Sequence, residues 1–246
     1  MTRHIPTPYH LCYNYIVMIF SYYFIVTLIL ILVWALIFAT KQELRKEMII
    51  LGVLSLFLLP LAFTIQTSDE REIQHLFSSL SIMDLIFSFG ISGIAGVIFH
   101  VFFGKHYHLM PIIKSAKKEN ELATWWVLRL FFSILFFVWI TLFLALGFDL
   151  SSASAMLISA IMISIYIISH RNNLLIDSIL SGVLTAMIVF LIVSLAGIFS
   201  QAPIDISFIN VETYFAGVPV ELLLWSLALG IVLGPLYEYT RRIELK

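Results

Sequence analysis

The sequence predicts an all-α fold: a polytopic membrane protein of seven transmembrane helices, N-terminus outside and C-terminus in the cytoplasm. Three observations lead there. Apolar residues make up 61% of the 246 residues and charged ones 12%, against about half and about a quarter in a soluble globular chain. The apolar residues fall in long runs broken by short polar segments. The positive charges sit almost entirely in alternate segments. These features exclude a soluble enzyme, a secreted disulfide scaffold and a disordered chain. The single cysteine, Cys12, has no internal partner for a disulfide. No basic stripe suited to nucleic acid occurs.

A hydrocarbon core of about 30 Å calls for roughly 20 apolar residues per helix. Seven runs meet or approach that length: 15–39, 48–65, 80–103, 125–146, 153–168, 174–199 and 215–239. The strands of a membrane barrel would alternate polar and apolar residues, whereas these runs are apolar on every side. The first run is too long for the core of a signal peptide and lacks a small-x-small cleavage pattern, so it is read as retained. Lys41, Arg45 and Lys46 follow the first run. Lys105, Lys114, Lys117 and Lys118 follow the third, Arg129 begins the fourth, Arg171 follows the fifth, and Arg241, Arg242 and Lys246 follow the seventh. Twelve of the 14 basic residues therefore share one side, with only Arg3 and Arg71 opposite. The positive-inside rule makes that side cytoplasmic. An odd number of spans is then required, and seven satisfies it.

The third and seventh runs align at a constant offset. Phe87 meets Trp225, Ser88 meets Ser226, Gly96 meets Gly234, Phe99 meets Tyr237 and His100 meets Glu238. The expected organisation is one membrane domain over 1–246, with a three-helix repeat at 15–103, a linker helix at 125–146 and a second repeat at 153–239. A single linker span restores the starting direction, so the halves are parallel and related by an axis along the membrane normal. Gly93, Gly96, Gly230 and Gly234 supply small faces for close helix approach.

Charged residues inside a span cost roughly 2.5–3.5 kcal/mol at its centre. Asp84 and Glu221 each lie about a turn inside the outer end of a span, at matching depth. His100 and Glu238 form a second polar cluster some 16–17 residues further on, roughly 25 Å away. Asp177 and Arg129 read as end-of-helix residues that cap or snorkel. For the outer pair, interfacial solvation competes with a catalytic reading, in which desolvation favours the protonated carboxyl as a general acid. Span seven contains no lysine, which removes an attachment point for a retinal Schiff base. No histidine lies near a midplane for haem or di-iron ligation. His106 and His108 have no third ligand nearby, so no metal is expected, and no phosphate-cradling or dinucleotide motif occurs.

The segment Gly217-Val218-Pro219-Val220-Glu221-Leu222-Leu223-Leu224-Trp225, with Gly234-Pro235-Leu236-Tyr237-Glu238-Tyr239 after it, resembles the lycopene cyclase domain family, the small membrane type of carotenoid cyclase. That family carries Pro-x-Glu-(Glu/Asp) at the start of a span in each of two three-span halves. Here Leu222 stands in place of the second acid. In the first half, Ser81-Ile82-Met83-Asp84 keeps the second acid and replaces the proline and the first. The resemblance implies redox-neutral cyclisation of a carotenoid or isoprenoid without a cofactor, in a prokaryotic cytoplasmic membrane. Asp84 and Glu221 would be the acids, each half having kept the one the other lost. Phe87, Trp225, Pro219 and Tyr237 would contact substrate. Expected partners are the isoprenoid and membrane lipids, and a homo-oligomer is compatible. Two alternatives stand beside it: a non-catalytic isoprenoid-binding accessory protein, and a small-solute transporter with parallel three-helix repeats.

The charge split fixes an expected topology. Accessibility tags at the C-terminus and in the 114–118 segment should report the cytoplasm, and one in the 205–212 segment the outside; an external C-terminus would remove the seven-span arrangement.

Overall fold

The computed structural model describes residues 22–56, 82–104, 107–109, 119–148, 150–199, 213–241 and 243–245. Among them are seven α-helices: α1 (Tyr22–Thr40), α2 (Arg45–Ser55), α3 (Ile82–Phe103), α4 (Glu119–Phe148), α5 (Ser152–His170), α6 (Leu175–Phe199) and α7 (Val220–Arg241). Six of them, all but α2, are long and apolar enough to cross a membrane. Where lipid offers no hydrogen bonds, a helix is one of the few ways to satisfy the backbone internally. These features support an integral membrane protein. The remainder of the expected second span, 57–65, lies outside the described residues, as do Arg3, Arg71 and the 105–106, 114–118 and 205–212 segments on which the charge assignment partly rests.

Two boundaries differ from expectation. The seventh helix begins at Val220, not at 215, because β1 (Tyr214–Phe215) and β2 (Val218–Pro219) form a hairpin in front of it. The two turn residues, Ala216 and Gly217, both have positive φ, 49° and 82°, the requirement of a tight two-residue hairpin. The fourth helix runs over 30 residues, past both ends of 125–146. At 1.5 Å per residue that is about 45 Å, more than a hydrocarbon core.

Helices α3 and α7 form the centre. Along their apolar stretches 67% and 61% of residues are buried, against 22–44% in the other four spans. Helices α2 and α1 pack on α3, α6 and α5 pack on α7, α3 and α7 touch each other, and α4 lies chiefly against α5. The Tyr22 hydroxyl donates to the Val193 carbonyl of α6 at 2.7 Å, linking the first helix to the sixth.

The same local structure occurs twice. Between α1 and α2 the chain breaks at Lys41 (ψ 80°) and passes through a 3-10 turn, Gln42–Leu44. Between α5 and α6 it breaks at Arg171 (ψ 84°) and passes through Asn172–Leu174. The bonds match: Lys41 N–H donates to Ile37 O at 2.8 Å and Arg171 N–H to Ile167 O at 2.9 Å. Leu44 and Leu174, 130 positions apart, are both buried. Polar residues surface each turn, and Arg45 closes the first by donating to the otherwise orphaned carbonyls of Phe38 and Ala39 at 2.7 and 3.1 Å.

Glycine contacts recur as well. A Cβ on Gly52 would stand 3.1 Å from the Phe89 carbonyl oxygen, and one on Gly182 3.0 Å from that of Leu227. A Cβ on Gly96 would collide with the Leu51 side chain, and one on Gly234 with that of Ser181. All four pairings keep one relation: 130 residues separate the second helices of the two sets and 138 the third. The second set thus has eight more residues between its second-helix and third-helix positions than the first.

Overpacking such contacts typically costs about 1–3 kcal/mol. Gly96→Leu and Gly234→Leu should each lower the unfolding free energy of the detergent-solubilised protein by that amount. Gly197→Leu should be silent, since among the described residues nothing lies within 4 Å of its Cβ position.

Candidate functional site

Two polar centres sit at opposite ends of the α3–α7 pair. The larger is at the end that carries the two 3-10 turns. His100, three residues before the end of α3, and Glu238, three before the end of α7, meet at 2.6 Å between Nε2 and Oε1, both side chains fully buried. Glu47 is the third residue of α2 and Asp177 the third of α6, and both are buried. One donor atom each from Glu47, His100 and Glu238 lies within 4.8 Å of the others. Asp177 interacts electrostatically with all three. Its Oδ1 accepts a hydrogen bond from Ser181 Oγ at 3.0 Å. Among the described residues nothing donates to its buried Oδ2. Arg171 reaches the same end and donates from Nη1 to the Glu238 carbonyl at 2.8 Å.

The four side chains come in corresponding pairs. Asp177 follows Glu47 by 130 residues, and Glu238 follows His100 by 138, the relations already seen in the glycine contacts. Helices α2 and α6 each offer a carboxyl from the first turn, and α3 and α7 each a titratable group from the last. Four carboxyls would repel one another strongly in a dry interior. Replacing one by histidine converts a like-charge contact into a hydrogen-bonded pair.

Expectation and structure part company here over Asp177. It neither caps a helix nor snorkels, because the packing of α6 on α7 turns it inward, with its Oδ1 3.6 Å from the Cβ position of Gly234. Arg129, by contrast, is exposed on α4, as a snorkelling residue should be. Glu47 lies in the charged segment before the second span, where composition alone does not mark it as buried. The signal was present: Leu44, Glu47, Met48 and Leu51 share one helical face and are all buried, while Glu43 and Lys46 are exposed.

The smaller centre surrounds Asp84 in the first turn of α3. Asp84 is 3% exposed and accepts a 2.8 Å hydrogen bond on Oδ1 from the Tyr23 hydroxyl of α1. The Tyr23 ring tilts against buried Phe87 with centroids 5.7 Å apart. Glu221 occupies the matching first turn of α7 and is half-buried. Pro219 is buried in the hairpin ahead of it, and Trp225 is partly buried against the core. Tyr237 stands apart from this group. It is 12 residues beyond Trp225, about 18 Å along the helix, and meets Trp126 of α4 edge-on at 5.7 Å.

No protein-family model matches the chain, and no curated protein or solved structure matches it either. The chemistry must therefore be argued from the side chains themselves.

Tyr23→Phe removes the donor to Asp84 and leaves a buried acceptor short of a partner. The expected cost is about 1–3 kcal/mol, read from thermal unfolding in detergent. An unchanged midpoint would show that the Tyr23–Asp84 bond contributes nothing to folding.

Proposed function

We propose that the chain is built as two parallel three-helix repeats, α1–α3 and α5–α7, joined by α4 as linker, and that it acts on an isoprenoid lipid in the manner of a lycopene cyclase. The repeat reading is supported by the matched turns, the matched glycine contacts and the paired composition of the larger polar centre. Both repeats bring their titratable groups to the same end of the bundle, which favours an axis along the membrane normal. Lys41, Lys46 and Arg171 crowd that end, which favours placing it in the cytoplasm. Asp84 and Glu221 then stand at the outer side.

Asp84 carries the functional reading. It is a buried carboxyl in an apolar bundle, oriented by a phenol and flanked by the Phe87 ring. Aromatic faces suit a polyene and favour cationic charge developing on it. A carboxylic acid at this place adds its proton to the terminal double bond of a linear isoprenoid. The carbocation is captured by a second double bond along the same chain, closing a six-membered ring. A carboxylate then takes a proton from an adjacent ring carbon. One proton is added and one is lost, so the step needs no oxidant, reductant or cofactor. Asp84 and Glu221 divide the acid and base roles, one supplied by each repeat.

Expression in a lycopene-producing host should convert part of the pigment to a cyclised product. Asp84→Asn and Glu221→Gln should each abolish conversion without unfolding the protein, and the double variant should be no worse than either single, because residues acting as one unit are not additive. Unchanged lycopene that co-purifies with the wild-type protein would replace the enzyme reading with that of an isoprenoid-binding protein. Unchanged and unbound lycopene would remove both.

A further inference from the structure

The larger polar centre is not needed for the cyclisation chemistry and asks for its own explanation. Three carboxyls and an imidazole are enclosed together, and a low-dielectric interior does not tolerate uncompensated charge. We propose that Glu47, His100, Asp177 and Glu238 bind one divalent first-row transition-metal ion between the two halves of the bundle.

Geometry is the first support. Donor atoms of Glu47, His100 and Glu238 fall within 4.8 Å of one another, close to the spacing around an ion whose bonds to nitrogen and oxygen are about 2.0–2.2 Å. The His100–Glu238 contact at 2.6 Å is a hydrogen bond. Ligation displaces that proton and opens the contact to about 3 Å. Asp177 is the second, independent support. It is 1% exposed, it lies in the electrostatic field of the other three, and its Oδ2 accepts no hydrogen bond from any described residue. Asp177 stands outside the 4.8 Å group of three, and its buried, unpartnered oxygen supplies the fourth ligand as the ion draws the carboxylates together. Charge balance is the third. Three carboxylates, a neutral imidazole, a divalent ion and the Arg171 guanidinium, which reaches the Glu238 carbonyl, sum to zero.

The donor set selects the ion. One imidazole nitrogen with carboxylate oxygens suits zinc, iron(II) or manganese(II); copper(I) and iron–sulfur clusters want thiolates, and magnesium prefers oxygen ligands and retained water. Bound there, the ion ties α2, α3, α6 and α7 together from both halves. Its role is to clamp the helices, and it is independent of the cyclisation reading, which rests on Asp84 and Glu221.

The test uses the full chain in detergent, stripped with EDTA, reloaded separately with Zn²⁺, Co²⁺ or Mn²⁺, and desalted. About one equivalent of Zn²⁺ or Co²⁺ per chain should remain, and Zn²⁺ should raise the melting midpoint by roughly 5–10 °C. Co²⁺ should give visible d–d bands. Asp177→Asn and Glu238→Gln should cut retention at least tenfold, whereas Asp84→Asn and Glu221→Gln should retain the metal fully. Less than a tenth of an equivalent of every ion on folded wild-type protein, with no change in melting, overturns the proposal and leaves a centre that holds protons only. Undiminished retention by folded Asp177→Asn and Glu238→Gln also overturns it. If those variants do not fold, the Co²⁺ spectrum of the wild type decides, and an absence of d–d bands counts against the site. Because the pigment assay reads the opposite end of the bundle, failure of either experiment leaves the other intact.

Discussion

The fold is organised around the need to enclose the His100–Glu238 contact. Two titratable side chains at 2.6 Å with no exposure cannot be placed on a lipid-facing surface, where an unsatisfied or charged group is strongly penalised. Helices α3 and α7 carry them, so these two must lie inside and the remaining helices must cover them. That explains why the two helices are far more buried than their neighbours although all six spans have similar hydropathy. It also explains the glycines. Bringing α2 and α6 close enough to deliver Glu47 and Asp177 requires that Gly96 and Gly234 present no side chain towards Leu51 and Ser181.

On the proposed repeat, the two halves solve the same packing problem with different chemistry. In the second half Pro235 lacks an N–H, and the carbonyl four residues earlier, Ile231, loses its helical partner. Ser178 Oγ donates to that carbonyl at 2.9 Å and is itself bonded to Ser164 Oγ at 2.7 Å. The corresponding residues of the first half are Val97, Gly93, Met48 and Trp34. Val97 keeps its N–H, so no hydroxyl is required, and Met48 is buried as an apolar filler. Volume is exchanged in step: Trp34 lies over Gly93, where a Cβ would sit 2.5 Å from its indole nitrogen, while Ser164 goes with the bulky Ile231. Proline with serine, and tryptophan with glycine, are substitutions that make sense only as sets.

What the sequence made legible follows from which interactions are local. The long spans could be read because length and apolarity report the solvent around a helix, and His100 and Glu238 stood out as polar residues in apolar runs. Asp84 and Glu221 stood out as acids in the first turns of α3 and α7 for the same reason. The Tyr23 partner of Asp84 was not visible, since it joins residues 61 apart on different helices and nothing local in either helix specifies the meeting. Glu47 was hidden by composition: it lies among Lys41, Glu43, Arg45 and Lys46, and a charged cluster reads as solvated unless its helical phase is examined. The hairpin at 214–219 merges with the seventh apolar run because Phe215, Val218 and Pro219 are apolar. There the decisive quantity was the backbone angle at Ala216 and Gly217, which average apolarity does not report.

Placing two polar centres on one helix pair raises the question of whether they influence each other. Asp84 and His100 are 16 residues apart on α3, about 24 Å along the axis. At an effective dielectric constant of about 20, unit charges at that distance interact by only about 0.7 kcal/mol. A change of charge at one end therefore shifts the protonation balance at the other by little more than thermal energy. Any stronger coupling would have to be mechanical, carried by α3 and α7 moving as rigid rods. The glycine contacts oppose such movement, because Gly52, Gly96, Gly182 and Gly234 seat these rods against α2 and α6 with no slack for a further carbon atom. Sliding one helix would open voids and create collisions in both halves together. The two ends are thus held in a fixed relation but are electrostatically separate.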